Sequence, residues 1–204
     1  MLYVLSINLY IEGRNLCIQD SYITASNCKE KDVEDPVSSR SYAIGGIYRV
    51  NIKQGKVVSM RLCVGSRDPM EEVAQAVVLA GKGIEGDRHN LNKNGTKSKR
   101  QILLMDRETL SRFQLDDGVI RENITVEGLE LSSLTDGDRV SVGSDVVLQI
   151  TGECEPCSRM DEIRQGLQVE LKGQRGMLAY AESGGTISVG DSITVSVGDS
   201  ITVI

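Results

Sequence analysis

Cys154, Glu155, Pro156 and Cys157 set two thiols three residues apart, and Ser158, Arg159 and a polar stretch follow. Three chemistries use that spacing. A structural zinc site needs four ligands, and this pair supplies two. The chain has no second Cys-x-x-Cys, its single histidine is His89, and Cys17, Cys28 and Cys63 stand alone in separate segments. A thioredoxin-like dithiol opens a helix inside a βαβ pattern. A helical stretch follows the pair, but no βαβ pattern surrounds it. The third reading is one working thiol. Ser158 with Asp161 forms a Ser-x-x-acid signature that caps a helix N-terminus, which sets Cys157 just outside it. Unpaired N–H groups and the helix dipole would favour thiolate there. Arg159 adds positive charge, Asp161 and Glu162 oppose it, and Pro156 fixes the approach. An inert cysteine at a turn fits the local sequence equally well.

Three other segments carry candidate binding groups. "GIEGDRH" at 83–89 has glycines that permit a tight turn presenting Asp87, Arg88 and His89 together. His89 there is a candidate anion donor or an acid–base near neutral pH. "KGQRG" at 172–176 puts Arg175 on a short loop between glycines, a setting for bidentate recognition of phosphate or carboxylate. "RENI" at 121–124 places Asn123 at a strand start as a ligand contact or turn holder, with Glu122 structural. Surface ion pairs and solvated turns are the plain alternatives for all three.

The elements that hold these groups are mostly strands. The chain of 204 residues suits one domain, with 40% hydrophobic and 25% charged residues. Aromatic residues are only 3%, so Val, Ile, Leu and Ala must build the core. A net charge of -6 argues against wrapping nucleic acid. The apolar start is too short to span a bilayer and reads as a strand of a cytoplasmic protein, with no membrane partner. The polar stretch over 24–41 reads as a loop. "GIYRVNIKQGKVVSMRL" reads as two strands around a Gln54-Gly55 turn, and "RQILLMD" as a buried strand. "DRETLSRFQ" is a short helix capped by Asp106. In "SRMDEIRQGLQVELKG", Met160, Ile163, Leu167 and Leu171 share a helical face that Gly166 kinks or splits. "SVGDSITV" at 188–195 recurs at 196–203, which reads as a duplicated last strand with one copy redundant. Many short strands and few helices predict a β-rich α+β fold or β-barrel.

Taken in order, "GIEGDRH", "RQILLMDRETL", "RENITVEGLELSSLTDGDRVSVG", "PCSRMDEIRQGL" and "GQRGMLAYAESGGTISVGD" resemble the MOSC domain, named after the C-terminal part of molybdenum-cofactor sulfurase. The resemblance covers 46–195, leaving 1–45 and the duplicated segment 196–204 outside. It implies a MOSC-type β-barrel with a few short helices. It also implies a cysteine that ligates the metal of molybdenum cofactor or carries sulfur as a persulfide. The family's cysteine follows a proline, which carries that role to Cys157. Cofactor-binding roles carry to Asp87, Arg88, His89, Asn123, Arg159 and Arg175. The implied activity is that of a stand-alone sulfur carrier or transferase for molybdoenzyme maturation, with sulfur donor or acceptor proteins as partners. A molybdenum-dependent reductase of N-hydroxylated compounds and a non-catalytic anion- or protein-binding barrel are the alternatives. The chain is too short for the pyridoxal-phosphate domain of the cofactor sulfurases.

Overall fold

A computed structural model describes residues 7–11, 14–19, 22–24, 39–44, 48–90, 98–196 and 202–203, with side chains over 53–90 and 98–195. The loop expected over 24–41 falls mostly on 25–38, outside the described residues. The chain divides into two compact units, residues 1–52 with 199–204, and residues 53–198.

In the first unit β1 (Ile7–Ile11), β2 (Arg14–Gln19) and β3 (Tyr22–Thr24) form an antiparallel meander. β4 (Ser39–Ile44) pairs with β5 (Tyr48–Leu62). The expected Gln54-Gly55 turn does not form, because β5 is a single strand of 15 residues. Gly55 is there for close approach instead. A Cβ at Gly55 would lie 2.6 Å from the Glu127 carbonyl oxygen and 2.8 Å from Leu129 Cβ.

The second unit continues with β6 (Glu71–Glu72), β7 (Gln75–Leu79), β8 (Gly83–Ile84), β9 (Ile102–Asp106), α1 (Arg107–Arg112) and β10 (Ile124–Glu127). β11 (Arg139–Val142), β12 (Val146–Glu153), α2 (Arg159–Ile163) and α3 (Leu167–Glu170) follow. β13 (Met177–Ser183), β14 (Gly185–Ser188) and β15 (Ser192–Ser196) complete it, and β16 (Thr202–Val203) belongs to the first unit. The two copies of the repeat thus take different partners. β15 pairs with β11 and with residues 53–56 of β5, whereas β16 pairs with Tyr48 and Arg49.

β5, β15, β11, β12, β13, β9 and β10 form a ring, closed by pairing of β10 back onto β5. A ring with an odd number of strands cannot alternate direction throughout, so one parallel pair is obligatory. That pair is β9 and β10. Parallel neighbours need a crossover, and α1 sits in it, with Asp106 Oδ1 accepting from Thr109 N at 2.8 Å as the sequence predicts. Alternating residues fill the barrel: Ile102 and Leu104, Ile124 and Val126, Val140 and Val142, Leu148 and Ile150, Ala179 and Ala181, Ile193 and Val195. β9 is buried on both faces. Its Met105 joins Leu110, Ile120, Met160, Leu167 and Leu171 in a second core under the helices. Gly166, at φ +88°, splits α2 from α3 as expected, while Ile163 is exposed at 39%. No helix among the described residues is long and apolar enough to cross a membrane.

Candidate functional site

The 83–89 turn does present Asp87 and His89 together, but the carboxylate is consumed by the protein. Asp87 Oδ2 accepts from Cys63 N at 2.7 Å and Asn123 Nδ2 at 2.8 Å. Its Oδ1 accepts from His89 N and lies 2.8 Å from His89 Nδ1. Burial works to raise its pKa, but the His89 and Cys63 hydrogen bonds outweigh it, and the carboxyl ends below its ordinary value. An ionised carboxylate only accepts, so Nδ1 of His89 carries the hydrogen. Nε2 lies on a side chain that is 48% exposed. Asn123 is equally committed. Its Nδ2 also donates to Arg61 O and its Oδ1 accepts from Leu103 N. The pair therefore ties β5, β9 and β10 to the turn and offers no free polar atom to a ligand. Arg88 is exposed, and its backbone N–H donates to Cys63 O.

Cys157 is the exposed thiol among the described cysteines, while Cys63 and Cys154 are buried. The capping expected of Ser158 does not occur. Ser158 itself has helical backbone angles and makes no side-chain cap bond, because the turn starts a residue earlier, with Met160 N donating to Cys157 O. With only five residues in α2, the dipole argument for Cys157 lapses. Asp161, the other half of the signature, instead accepts from Gln168 N in α3.

Arginines surround this segment. Arg159 Nη1 donates to Ser66 O at 2.7 Å, fastening α2 to the loop after β5. Arg121 holds the same loop through Gly65 O and Asp68 O and donates to Cys63 Sγ. It does so from a left-handed backbone conformation, φ +70°, rare for a non-glycine residue. Arg175 is 8% exposed; its Nη1 donates to Cys154 Sγ and Glu155 O, both at 3.0 Å, and its Nη2 to Ile120 O. Its Nε is buried with no partner among the described residues. Arg100 Nη2 lies 3.8 Å from the same Cys154 sulfur. Contacts thus link Cys154 through Arg175 to Ile120, and Arg121 through the 63–68 loop to Arg159, two residues after Cys157. Arg175 is fastened to the Cys154–Glu155 end of the segment that carries Cys157 and Arg159. Cys63, Arg100 and Arg121, to which the sequence assigns no site role, join Cys154 in these contacts. Burial pushes the Cys154 thiol up, against the charges of Arg175 and Arg100.

Glu122, next in sequence to Arg121, is buried. Its Oε1 accepts from Gly118 N and Thr125 Oγ1, its Oε2 has no partner, and burial pushes its pKa up to about 7. A depression lined by Asp106, Thr109, Arg112, Gly173, Gln174 and Gly176 borders the Arg175 loop, and none of the candidate residues lines it. Among the described residues no group of three or more His, Cys, Asp or Glu side chains gathers to hold a metal ion.

Comparison with known proteins agrees with this fold. The Bacillus subtilis (strain 168) protein YuaD, named for metal-sulfur cluster biosynthesis, is 30% identical over 129 residues, 53% of this chain and 67% of its own. The crystal structure of Bacillus subtilis YuaD superposes with a TM-score of 0.60 at 20% identity, covering 71% of this chain and 96% of that one. YiiM from Geobacillus stearothermophilus gives 0.56 at 18% identity, covering 71% of this chain and 77% of its own. YiiM from Escherichia coli gives 0.53 at 17%, covering 72% and 73%. At those identities the structural likeness speaks to the fold alone. The MOSC domain family matches residues 92–194, through the parallel pair, the Cys154–Cys157 segment and the Arg175 loop, and the chain belongs to the MOSC domain family.

Proposed function

We propose that this chain binds molybdenum cofactor or carries sulfur as a persulfide on Cys157, in the service of molybdoenzyme maturation. The observation that carries the reading is an exposed thiol in a segment held by guanidiniums, one of them buried and, among the described residues, without a carboxylate partner. Molybdenum cofactor implies two kinds of contact, a soft ligand for a sulfur-rich metal centre and a cationic clamp for the pterin phosphate. The residues present fit both. Cys157 supplies the soft donor. Arg175 has an unused buried N–H, and Arg88 and Arg100 are exposed. Asp87 and Asn123 serve as scaffold in this reading, because their polar atoms are already paired. When bound, the cofactor supplies oxygen- or sulfur-atom transfer chemistry. The chain's part is to hold it, to keep a nucleophilic sulfur at the surface and to stabilise anionic charge there.

YuaD's name supports the sulfur half of this reading, since it connects that relative to metal–sulfur chemistry. A sulfur donor or acceptor protein would be the partner, and a reducing cytoplasmic setting would keep the thiols free. The test is to purify the chain from cells that make the cofactor and measure bound molybdenum, pterin and cyanide-labile sulfur. Wild type should carry at least one of the three, and Cys157→Ser should lose the metal and the sulfur. If both proteins are equally empty, neither form of the reading survives.

A further inference from the structure

We propose that Cys154 is a second thiol of the sulfur chemistry, resolving a persulfide on Cys157 and releasing its outer sulfur as hydrosulfide. The inference rests on the persulfide form of the reading above.

The two buried thiols of this region differ in one informative way. Cys63 has an acceptor for its proton, since its Sγ donates to Gly65 O at 3.4 Å while it accepts from Arg121. Cys154 has no such acceptor among the described residues. Its sulfur only receives, from Arg175 Nη1 at 3.0 Å and Arg100 Nη2 at 3.8 Å. A guanidinium has donors alone, so this sulfur is held as an electron-pair donor. Among the described residues Arg175 is also a buried cation without a carboxylate partner, with Nε left unpaired. Such a charge is costly without an anion beside it, and it stabilises the negative charge that develops on the Cys154 sulfur as it gives up its proton in the exchange.

The turn between the thiols is fixed at successive points. Arg175 Nη1 holds Cys154 Sγ and Glu155 O, and Gln168 Nε2 donates to Pro156 O at 3.3 Å. One thiol is therefore buried and clamped, and the other is exposed three residues later. A carrier thiol needs access to a donor, and a resolving thiol needs protection from it. The arrangement meets both needs.

The step balances as a thiol–disulfide exchange. A bond forms between Cys154 Sγ and Cys157 Sγ, and the bond from Cys157 Sγ to the outer sulfur breaks. The outer sulfur leaves as HS⁻ with the bonding pair and the proton of Cys154. A perthiolate and a thiol become a disulfide and hydrosulfide. The outer sulfur is reduced by two electrons, and the two cysteine sulfurs are oxidised together. A sulfane donor such as polysulfide loads Cys157, and an external dithiol resets the disulfide. Sulfur delivered at the sulfide level needs those two electrons, which a single thiol cannot provide alone.

The test uses the full chain, reduced and then treated with inorganic polysulfide and desalted. Sulfide release is followed with time, and peptide mass mapping locates persulfides and disulfides. In wild type, sulfur should appear on Cys157 and then leave as sulfide, in step with a Cys154–Cys157 disulfide. Cys154→Ser and Cys154→Ala, checked for folding by thermal melting, should load Cys157 and release sulfide about tenfold or more slowly. Release at the wild-type rate from either folded variant would overturn the second-thiol role and leave the Cys157 reading standing. Sulfide release from wild type without the matching disulfide would overturn it independently of any variant. If wild type takes no sulfur on Cys157, the persulfide reading falls and this inference falls with it.

Discussion

Glu122 makes the stability of the barrel depend on pH in an unusual direction. Its side chain lies against Gly118 N and Thr125 Oγ1 with Oε2 unpartnered, and burial pushes its pKa up from 4.5 to about 7. A raised carboxyl pKa means that the folded state favours the neutral form. Below pH 4.5 both folded and unfolded chains hold the proton, and this stability is fully present. As pH rises, the unfolded chain gives up the proton while the folded chain retains it. Stability then falls until pH passes about 7 and stays low above that. The difference of about 2.5 units corresponds to roughly 3 kcal/mol. Glu122→Gln imitates the neutral acid and cannot ionise. Its extra N–H has no ready acceptor, which costs about 1 kcal/mol. The variant should therefore be slightly less stable than wild type at pH 4.5 and about 2 kcal/mol more stable at pH 8. Urea unfolding followed by far-ultraviolet circular dichroism at both values measures this. Equal pH dependence in the two proteins would show that the buried carboxyl ionises freely, and the reasoning would fail.

Other outcomes follow from the same contacts. Asp87→Asn sets an NH2 group against two donors in either orientation, so it should cost about 2–4 kcal/mol in thermal or urea unfolding. Because Asp87 titrates below its ordinary value, the stability it supplies is present above that value and lost as pH falls. A wild-type barrel whose acid transition is unchanged by Asp87→Asn would contradict the assignment. His89 should show, by nitrogen NMR, a hydrogen on Nδ1; an Nδ1 without one would refute the Asp87 contact. Gly176 has φ +84°, and a Cβ there would come within 2.2 Å of Leu104 O. Gly176→Ala should therefore cost about 3 kcal/mol, and a neutral effect would mean that the loop before β13 can shift.

Much of the barrel was legible because a half-buried strand writes its face into alternate residues. β11, β12 and β13 show this in Val140 and Val142, Leu148 and Ile150, and Ala179 and Ala181. Asp106 and Gly166 announced a cap and a break through local backbone chemistry, which sequence records directly. Gly55 misled because a glycine that admits a neighbouring carbonyl looks the same as one that turns the chain. Ser158 misled because a capping signature depends on where the helix begins, and one residue's shift removes the bond.

The site was harder to read than the fold. Cys157 and Arg175 stood out by their neighbours in sequence. The Arg175–Cys154 and Arg121–Cys63 contacts join residues 21 and 58 positions apart, so they exist only once the barrel closes. Asp87 and Asn123 come from separate motifs, and sequence could not show that their hydrogen-bonding capacity is spent on each other and on the strands.

The most direct test of the central claim is residue-resolved. The chain is isolated without reductant from cells that make molybdenum cofactor, alkylated at once, and mapped by mass spectrometry beside a molybdenum assay. Cys157, and not Cys63, should be found either carrying an additional sulfur or shielded from alkylation in chains that hold molybdenum. A Cys157 that alkylates fully as an ordinary thiol, in a preparation free of molybdenum and labile sulfur, would contradict it.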